Sequence, residues 1–253
     1  MILTRLGNKR KIAASITQYF PPHTTYVEPF FGAGGVFFNK PKAKYNILND
    51  IDSDVFNLFM VVKKHKKQLE KSVFNMPVHE ELLRYWQKNK EVDPVQKALR
   101  FLFLSNFGYM GKPHTLRFGV YDGKSVILKN IETTNRLLSD CQFMNCDFRK
   151  VIKKMAIKPE EKATTFIYAD PPYLGTENNF QCGFNEVDSF DLFELLQNSD
   201  IKFAISEEAH PFILDQAKKR GLLTINIGER QSLKKRSVEI LITNYRQSQI
   251  QIF

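Results

Sequence analysis

A chain of 253 residues with 43% hydrophobic side chains and a formal charge of +10 can bury a sizeable core and presents a basic surface suited to a polyanion. No stretch reaches the roughly 18 uninterrupted apolar residues of a membrane span, and Met1–Arg5 opens no signal-peptide hydrophobic region, so a soluble cytoplasmic protein without a membrane partner is expected. Cys141, Cys146 and Cys182 are odd in number, and neither they nor the scattered His23, His65, His79, His114 and His210 show metal-ligand spacing, so ordinary thiols and no metal are expected.

Ile12, Ile16 and Phe20 recur at helical spacing and predict an amphipathic helix over 10–20, ended by Pro21-Pro22. Thr25-Tyr26-Val27 reads as a short strand running into Glu28-Pro29-Phe30-Phe31-Gly32-Ala33-Gly34-Gly35. Small residues there let the backbone pass close to a ligand, and a short helix through Asn39 would offer free N–H groups. The turn is neither a GxGxxG dinucleotide motif nor a phosphate loop, since no Gly-Lys-Ser/Thr follows. Tyr45–Leu48 predicts a second strand ending at Asn49-Asp50. Strand, glycine-rich turn, helix, strand and acid outline a nucleotide-binding βαβ half, whose acid accepts hydrogen bonds from ribose hydroxyls. Asp50 fits that role, and Asp52 fits the N-cap of the next helix.

Residues 56–140 carry 15 Lys/Arg against 8 Asp/Glu, a net of +7, so most of the charge sits in this segment. Helical periodicity dominates it, with Asp93-Pro94 as a helix start. Asn106 to Gly123, rich in Gly, aromatic and basic residues, reads as loops or a hairpin. Lys63, Lys64, Lys66, Lys67 and Lys71 are either a solvated helix face or a phosphate grip, the latter only if a base-handling site exists elsewhere. Lys112 and Arg117 are candidate base or phosphate contacts. Strand-and-helix alternation then resumes. Gln142–Asn145 leads to Asp147, Phe166–Ala169 leads to Asp170, and Ile201–Ile205 precedes a helix near 210–220. Leu222–Ile227 and Val238–Tyr245 are expected to form a terminal antiparallel pair. The expected fold is α/β, with 1–55 and 141–253 forming one domain and 56–140 an inserted, mainly helical region.

Asp170-Pro171-Pro172-Tyr173 closes a buried strand, at the edge where open α/β sheets place ligands. An adenine amino nitrogen is a poor nucleophile, because its lone pair is delocalised into the ring. Acceptors on its two N–H bonds would make it more sp³-like. Asp170 can supply one and the Pro171 carbonyl the other, while the prolines stiffen the backbone that aims them. Tyr173 can stack on the base.

With these residues the chain resembles the Dam-type (D12 class) N6-adenine DNA methyltransferases across almost its whole length and in motif order. The resemblance rests on Val27–Gly34, Asp170–Tyr173, Leu6-Gly7-Asn8-Lys9, Leu48–Ile51, Cys146-Asp147-Phe148 and Lys234–Leu241. It implies a Rossmann-like class I methyltransferase sheet, S-adenosylmethionine as cofactor and double-stranded DNA as partner, with a flipped adenine as target. A cognate restriction endonuclease is a further candidate partner, and a bacterial or phage origin is implied. The resemblance makes Glu28, Pro29, Phe30, Gly32, Ala33, Gly34 and Asp50 cofactor residues. It adds Lys9 for the methionine carboxylate and Asp147 with Phe148 for the cofactor's adenine. Arg5 stands where the family often has an aromatic and is counted with this group. Lys234, Lys235 and Arg236 match the family's terminal basic loop. Lys112 to Gly119 does not match the family's GATC readers, so no recognition sequence is assigned. Adenine methylation of structured RNA, and a non-enzymatic DNA-binding protein on a decayed scaffold, are the alternatives.

Overall fold

Thr165–Ala169 (β4) is buried at every position, as a strand covered on both faces must be. The computed structural model describes residues 2–3, 7–108, 115–116, 122–174, 183–231 and 236–246. Among these, β4 is joined by Thr25–Glu28 (β1), Tyr45–Asn49 (β2), Gln142–Met144 (β3), Lys202–Glu208 (β5), Leu223–Gln231 (β6) and Arg236–Thr243 (β7) in one seven-stranded sheet, ordered β3-β2-β1-β4-β5-β7-β6. β1 runs parallel to β2 and β4, and β4 parallel to β5; β7 is antiparallel to both β5 and β6. This is the doubly wound, Rossmann-like sheet that the resemblance implies, with the expected antiparallel pair at its end. The strand order turns back between β1 and β4, the switch point at whose carboxyl edge ligands bind.

The chain divides into two compact units. One comprises Ile12–Phe31, Lys40–Ile51 and Met144–Phe253. Strand alternation gives its sheet two different faces. Val27, Ile167, Ala169, Phe203, Ile205, Ile240 and Ile242 form an apolar face, covered by Phe148–Lys154 (α1), Glu186–Gln197 (α2) and Pro211–Lys219 (α3). Tyr26 and Phe166 lie on the other face, where Phe20 packs 4.6 Å from Phe166 and 5.3 Å from Tyr168. The helix expected over 10–20 is shorter, a 3₁₀ turn at Lys9–Ile12 followed by Ala13–Thr17.

The other unit comprises Met1–Lys11, Gly32–Asn39 and Asp52–Phe143. Helices at Ser53–Lys64, Lys66–Asn75, Glu80–Lys88, Pro94–Asn106 and Gly123–Leu138 bury Leu58, Val62, Leu69, Leu102, Phe103 and Ile131. Asp52 and Asp93 cap the first and fourth of these, as expected from the sequence. Gly108 bridges antiparallel to Leu116, in keeping with the hairpin reading. The helix expected after the glycine turn is only the 3₁₀ turn Phe37–Asn39, and it stops where Pro41 disfavours helical geometry at Lys40.

Asn49 ties three strand ends together within the first unit. Its Nδ2 donates to the carbonyls of Pro29 and Cys146, each at 2.9 Å, and its Oδ1 accepts from the Cys146 N–H at 3.1 Å. Its own carbonyl accepts from the Phe31 N–H at 2.8 Å. The turns that follow β1, β2 and β3 are thereby fixed to one buried amide. Asn49→Ala should lower stability by about 2 kcal/mol, because one buried and two part-buried backbone groups lose their partner. Urea unfolding checks this: the midpoint should fall at unchanged slope.

Candidate active site

The parallel strands deliver acids to one edge: Glu28 ends β1, Asp50 follows β2 and Asp170 follows β4. Glu28 is 2% exposed and accepts a hydrogen bond from the Tyr26 hydroxyl at 2.8 Å. Burial pushes its carboxyl well above the usual range; the Tyr26 bond opposes that rise and the Asp170 charge adds to it. Tyr168 shares a hydrogen bond of 2.8 Å with Ser206 of β5. Tyr173 is 7% exposed, and its hydroxyl donates to Glu239 of β7, itself 2% exposed. Burial, followed by the neighbouring acids, raises Tyr26, Tyr168 and Tyr173 well above the ordinary phenol range. All three are therefore neutral hydrogen-bonding phenols at physiological pH, not bases. Asp170 and Pro172 are half-buried and Pro171 is buried.

Asp147 sits where β3 passes into α1. Its Oδ1 accepts from the Arg149 N–H at 2.8 Å, capping the helix, and its Oδ2 lies 3.2 Å from the Arg149 guanidinium. The same guanidinium reaches Asp188 at 2.6 Å and Asp191 at 2.7 Å on α2, and lies 4.5 Å over the Phe148 ring. Phe148 packs 5.2 Å from Phe30, with Phe184 5.9 Å from Phe30. An aromatic group and two carboxylates, Asp50 and Asp147, thus belong to the edge that follows β1, β2 and β3. That donor set suits an adenosine: acceptors for hydroxyl and amino hydrogens, and aromatic rings beside a purine.

In the other unit Gly32 and Gly34 adopt φ of 53° and 69°, a backbone that side-chain-bearing residues rarely take. Gly35 is the place of closest approach, where an added Cβ would stand 2.9 Å from the Lys9 backbone nitrogen. Lys9 is 4% exposed, with its Nζ 3.3 Å from the Gly7 carbonyl. The glycine turn and the Lys9 segment are therefore packed as one piece, with Ala33 buried between the two positive-φ glycines. Arg5, Lys112, Arg117, Lys234 and Lys235 lie outside the described residues, as does the side chain of Arg236.

The model of the D12 class N6 adenine-specific DNA methyltransferases matches residues 6–230. The chain belongs to this family. Its similarity to the DNA adenine methylase of Haemophilus influenzae is 31% identity over 192 residues, covering 69% of this chain and 64% of that one. With the DNA adenine methylase of Salmonella typhimurium the D12-class chain shares 36% identity over 112 residues, covering 42% and 40%. The chain thus spans less than two thirds of each of these two relatives. With the Type II methyltransferase M1.LlaDCHI of Lactococcus lactis it shares 25% identity over 272 residues, covering 94% and 93%.

Three residues that shape this D12-class edge have no role assigned from sequence: Asn49, Arg149 and Glu239. Glu239 does leave a trace, one acid inside the apolar run Val238–Ile242, where an ionised group is costly unless it is bonded. Glu28 offers a test of the buried edge. Its raised carboxyl means that the fold favours the protonated form. That contribution is complete below the ordinary glutamate range and is lost as pH rises through the raised value. Glu28→Gln has no such proton to lose. The melting temperature of this variant relative to the parent should therefore climb as pH rises above the ordinary glutamate range. A flat difference across that rise would contradict the burial argument.

Proposed function

We propose that this protein transfers a methyl group from S-adenosylmethionine to the N6 amino group of an adenine flipped out of double-stranded DNA. Family membership supports the reaction class. The observation that carries the reading is Asp170-Pro171-Pro172-Tyr173 at the carboxyl end of β4, beside the switch point between β1 and β4. The cofactor would be held by Asp50 at its ribose, by Asp147 and Phe148 at its adenine, by Lys9 at its carboxylate, and by the turn Glu28-Pro29-Phe30 with Gly32-Ala33-Gly34; Arg5 belongs to the same group. When bound, S-adenosylmethionine supplies an electrophilic methyl group.

The chain's own residues prepare the nucleophile. The Asp170 carboxylate accepts one N–H of the target amino group and the Pro171 carbonyl the other, which turns the nitrogen lone pair out of the ring plane. Pro171 and Pro172 restrict the backbone that aims these two acceptors. Tyr173 holds the ring of the extruded base. After alkylation the nitrogen is strongly acidic, and Asp170 or water takes its proton.

The basic segment 56–140 grips phosphates and, with Lys112 and Arg117, reads the site, while Lys234, Lys235 and Arg236 hold the backbone. Not every lysine in this segment is available for that work. Lys63 donates to the Cys141 carbonyl at 2.7 Å and Lys66 pairs with Glu132, whereas Lys64, Lys67 and Lys71 are exposed. No helix among the described residues is long and apolar enough to cross a membrane. A cytoplasmic protein of a bacterium or phage fits this activity, serving in restriction-modification beside a cognate endonuclease or in DNA marking.

Asp170→Ala should cut N6-methyladenine formation by more than about 100-fold, as expected when a group acting on the reacting atom is removed. Folding and thermal stability should stay close to those of the parent. Nucleoside mass spectrometry of unmethylated duplex DNA incubated with S-adenosylmethionine reads the outcome. An absence of methylated adenine from the parent protein, across DNA of varied sequence, would refute the reading.

A further inference from the structure

Glu239 is a costly residue where it stands. β7 reads Val238-Glu239-Ile240-Leu241-Ile242, and Ile240, Leu241 and Ile242 are buried like Glu239 itself. A carboxylate in such a strand carries a desolvation penalty of several kcal/mol, which only good hydrogen bonding offsets. Its Oε1 accepts the hydroxyl of Tyr173, across 66 residues of sequence. The strand around it is also shaped. Glu239 pairs with Glu208 of β5 on one side and with Gly228 of β6 on the other. At Gly228 the β6 register shifts, and this glycine takes φ 145° while its N–H bonds the Asn226 side chain at 2.9 Å. A bulge of this kind re-aims neighbouring side chains beside functional sites. Here it lies directly across from Glu239.

We propose that Glu239 is a positioning residue of the adenine site, acting through Tyr173 by pinning the phenol oxygen and so fixing the tilt of the ring. The assignment rests on the reading of Asp170–Tyr173 given above. Tyr173 is tied at its far end by Glu239 and at its near end by Pro172. The long axis of the ring is therefore held at both ends. A neutral phenol donor holds the carboxylate without bringing in a positive charge. Without that bond the ring can tilt, and a misplacement of about 1 Å is enough to cost on the order of 100-fold in rate.

The test compares Glu239→Leu, Glu239→Gln, Tyr173→Phe and the double variant Tyr173→Phe/Glu239→Leu. Duplex DNA and S-adenosylmethionine are the substrates. Glu239→Leu should lose on the order of 100-fold in kcat while binding S-adenosylmethionine as the parent does. Glu239→Gln, which keeps an acceptor, should recover most of that loss. Tyr173→Phe severs the same bond and should lose kcat similarly. The double variant should be no worse than either single change, and it replaces both polar partners by apolar groups, which favours folding. The proposal is overturned by parental kcat in Glu239→Leu or Tyr173→Phe, by equal losses in the Leu and Gln variants, or by losses that multiply in the double variant. If Glu239→Leu fails to fold, the Tyr173→Phe result decides. If the parent forms no N6-methyladenine, the reading of the site has failed instead. Tyr173 ring mobility from ¹³C-tyrosine NMR then decides the restraint: a ring no more mobile in Glu239→Leu than in the parent overturns it.

Discussion

A carboxylate withdrawn from water inside a sheet needs a donor within hydrogen-bond reach, and the choice of donor sets the character of this site. Tyr26 donates to Glu28 on β1, and Tyr173 donates to Glu239 on β7. A lysine or arginine would have satisfied each acid while cancelling its charge. A phenol satisfies it without bringing in a positive charge. The same constraint raises the Glu28 carboxyl and keeps the three buried tyrosines protonated. Asp50 and Asp170 are left as the half-buried acids of this edge.

A second constraint is mechanical. Parallel strands end in turns whose backbone groups have no ladder partner, and a ligand edge built on loose turns cannot hold its acids in place. The Asn49 amide takes up three such groups and joins the turns after β1, β2 and β3. Arg149 does related work one layer out, where its guanidinium bridges Asp147 to Asp188 and Asp191. Phe148 lies beneath that guanidinium, so the helix after β3 enters with its first residues already fixed.

Local features of this molecule were legible in the sequence. Alternating and continuous apolar runs located β1, β2, β4 and β5, and Asp52 and Asp93 announced the helices that they cap. The acids after β2 and β4 stood out because they end apolar runs. The order of the strands was not legible from spacing, because nothing local says that β4 returns beside β1. The resemblance to a known family supplied that step. Asn49, Arg149 and Glu239 were hidden for a related reason. The partners of Asn49 lie as far as 97 residues away and those of Glu239 66 residues away, distances at which side-chain pairing leaves no periodic trace.

The sheet's order also governs how the molecule is assembled. Thr24 and Thr164, flanking β1 and β4, meet across 140 residues, and non-local pairings of this kind form slowly. The helices between them make shorter-range contacts. Lys63 bonds the Cys141 carbonyl and Phe59 stacks on Phe143, so the two ends of that stretch meet once it folds. Folding it first shortens the loop that the sheet must close. β7, last of the strands in sequence, lies inside the sheet between β5 and β6. Before it docks, β6 has nothing to pair with and Tyr173 has no anchor in Glu239. Order at the Tyr173 ring therefore arrives with β7.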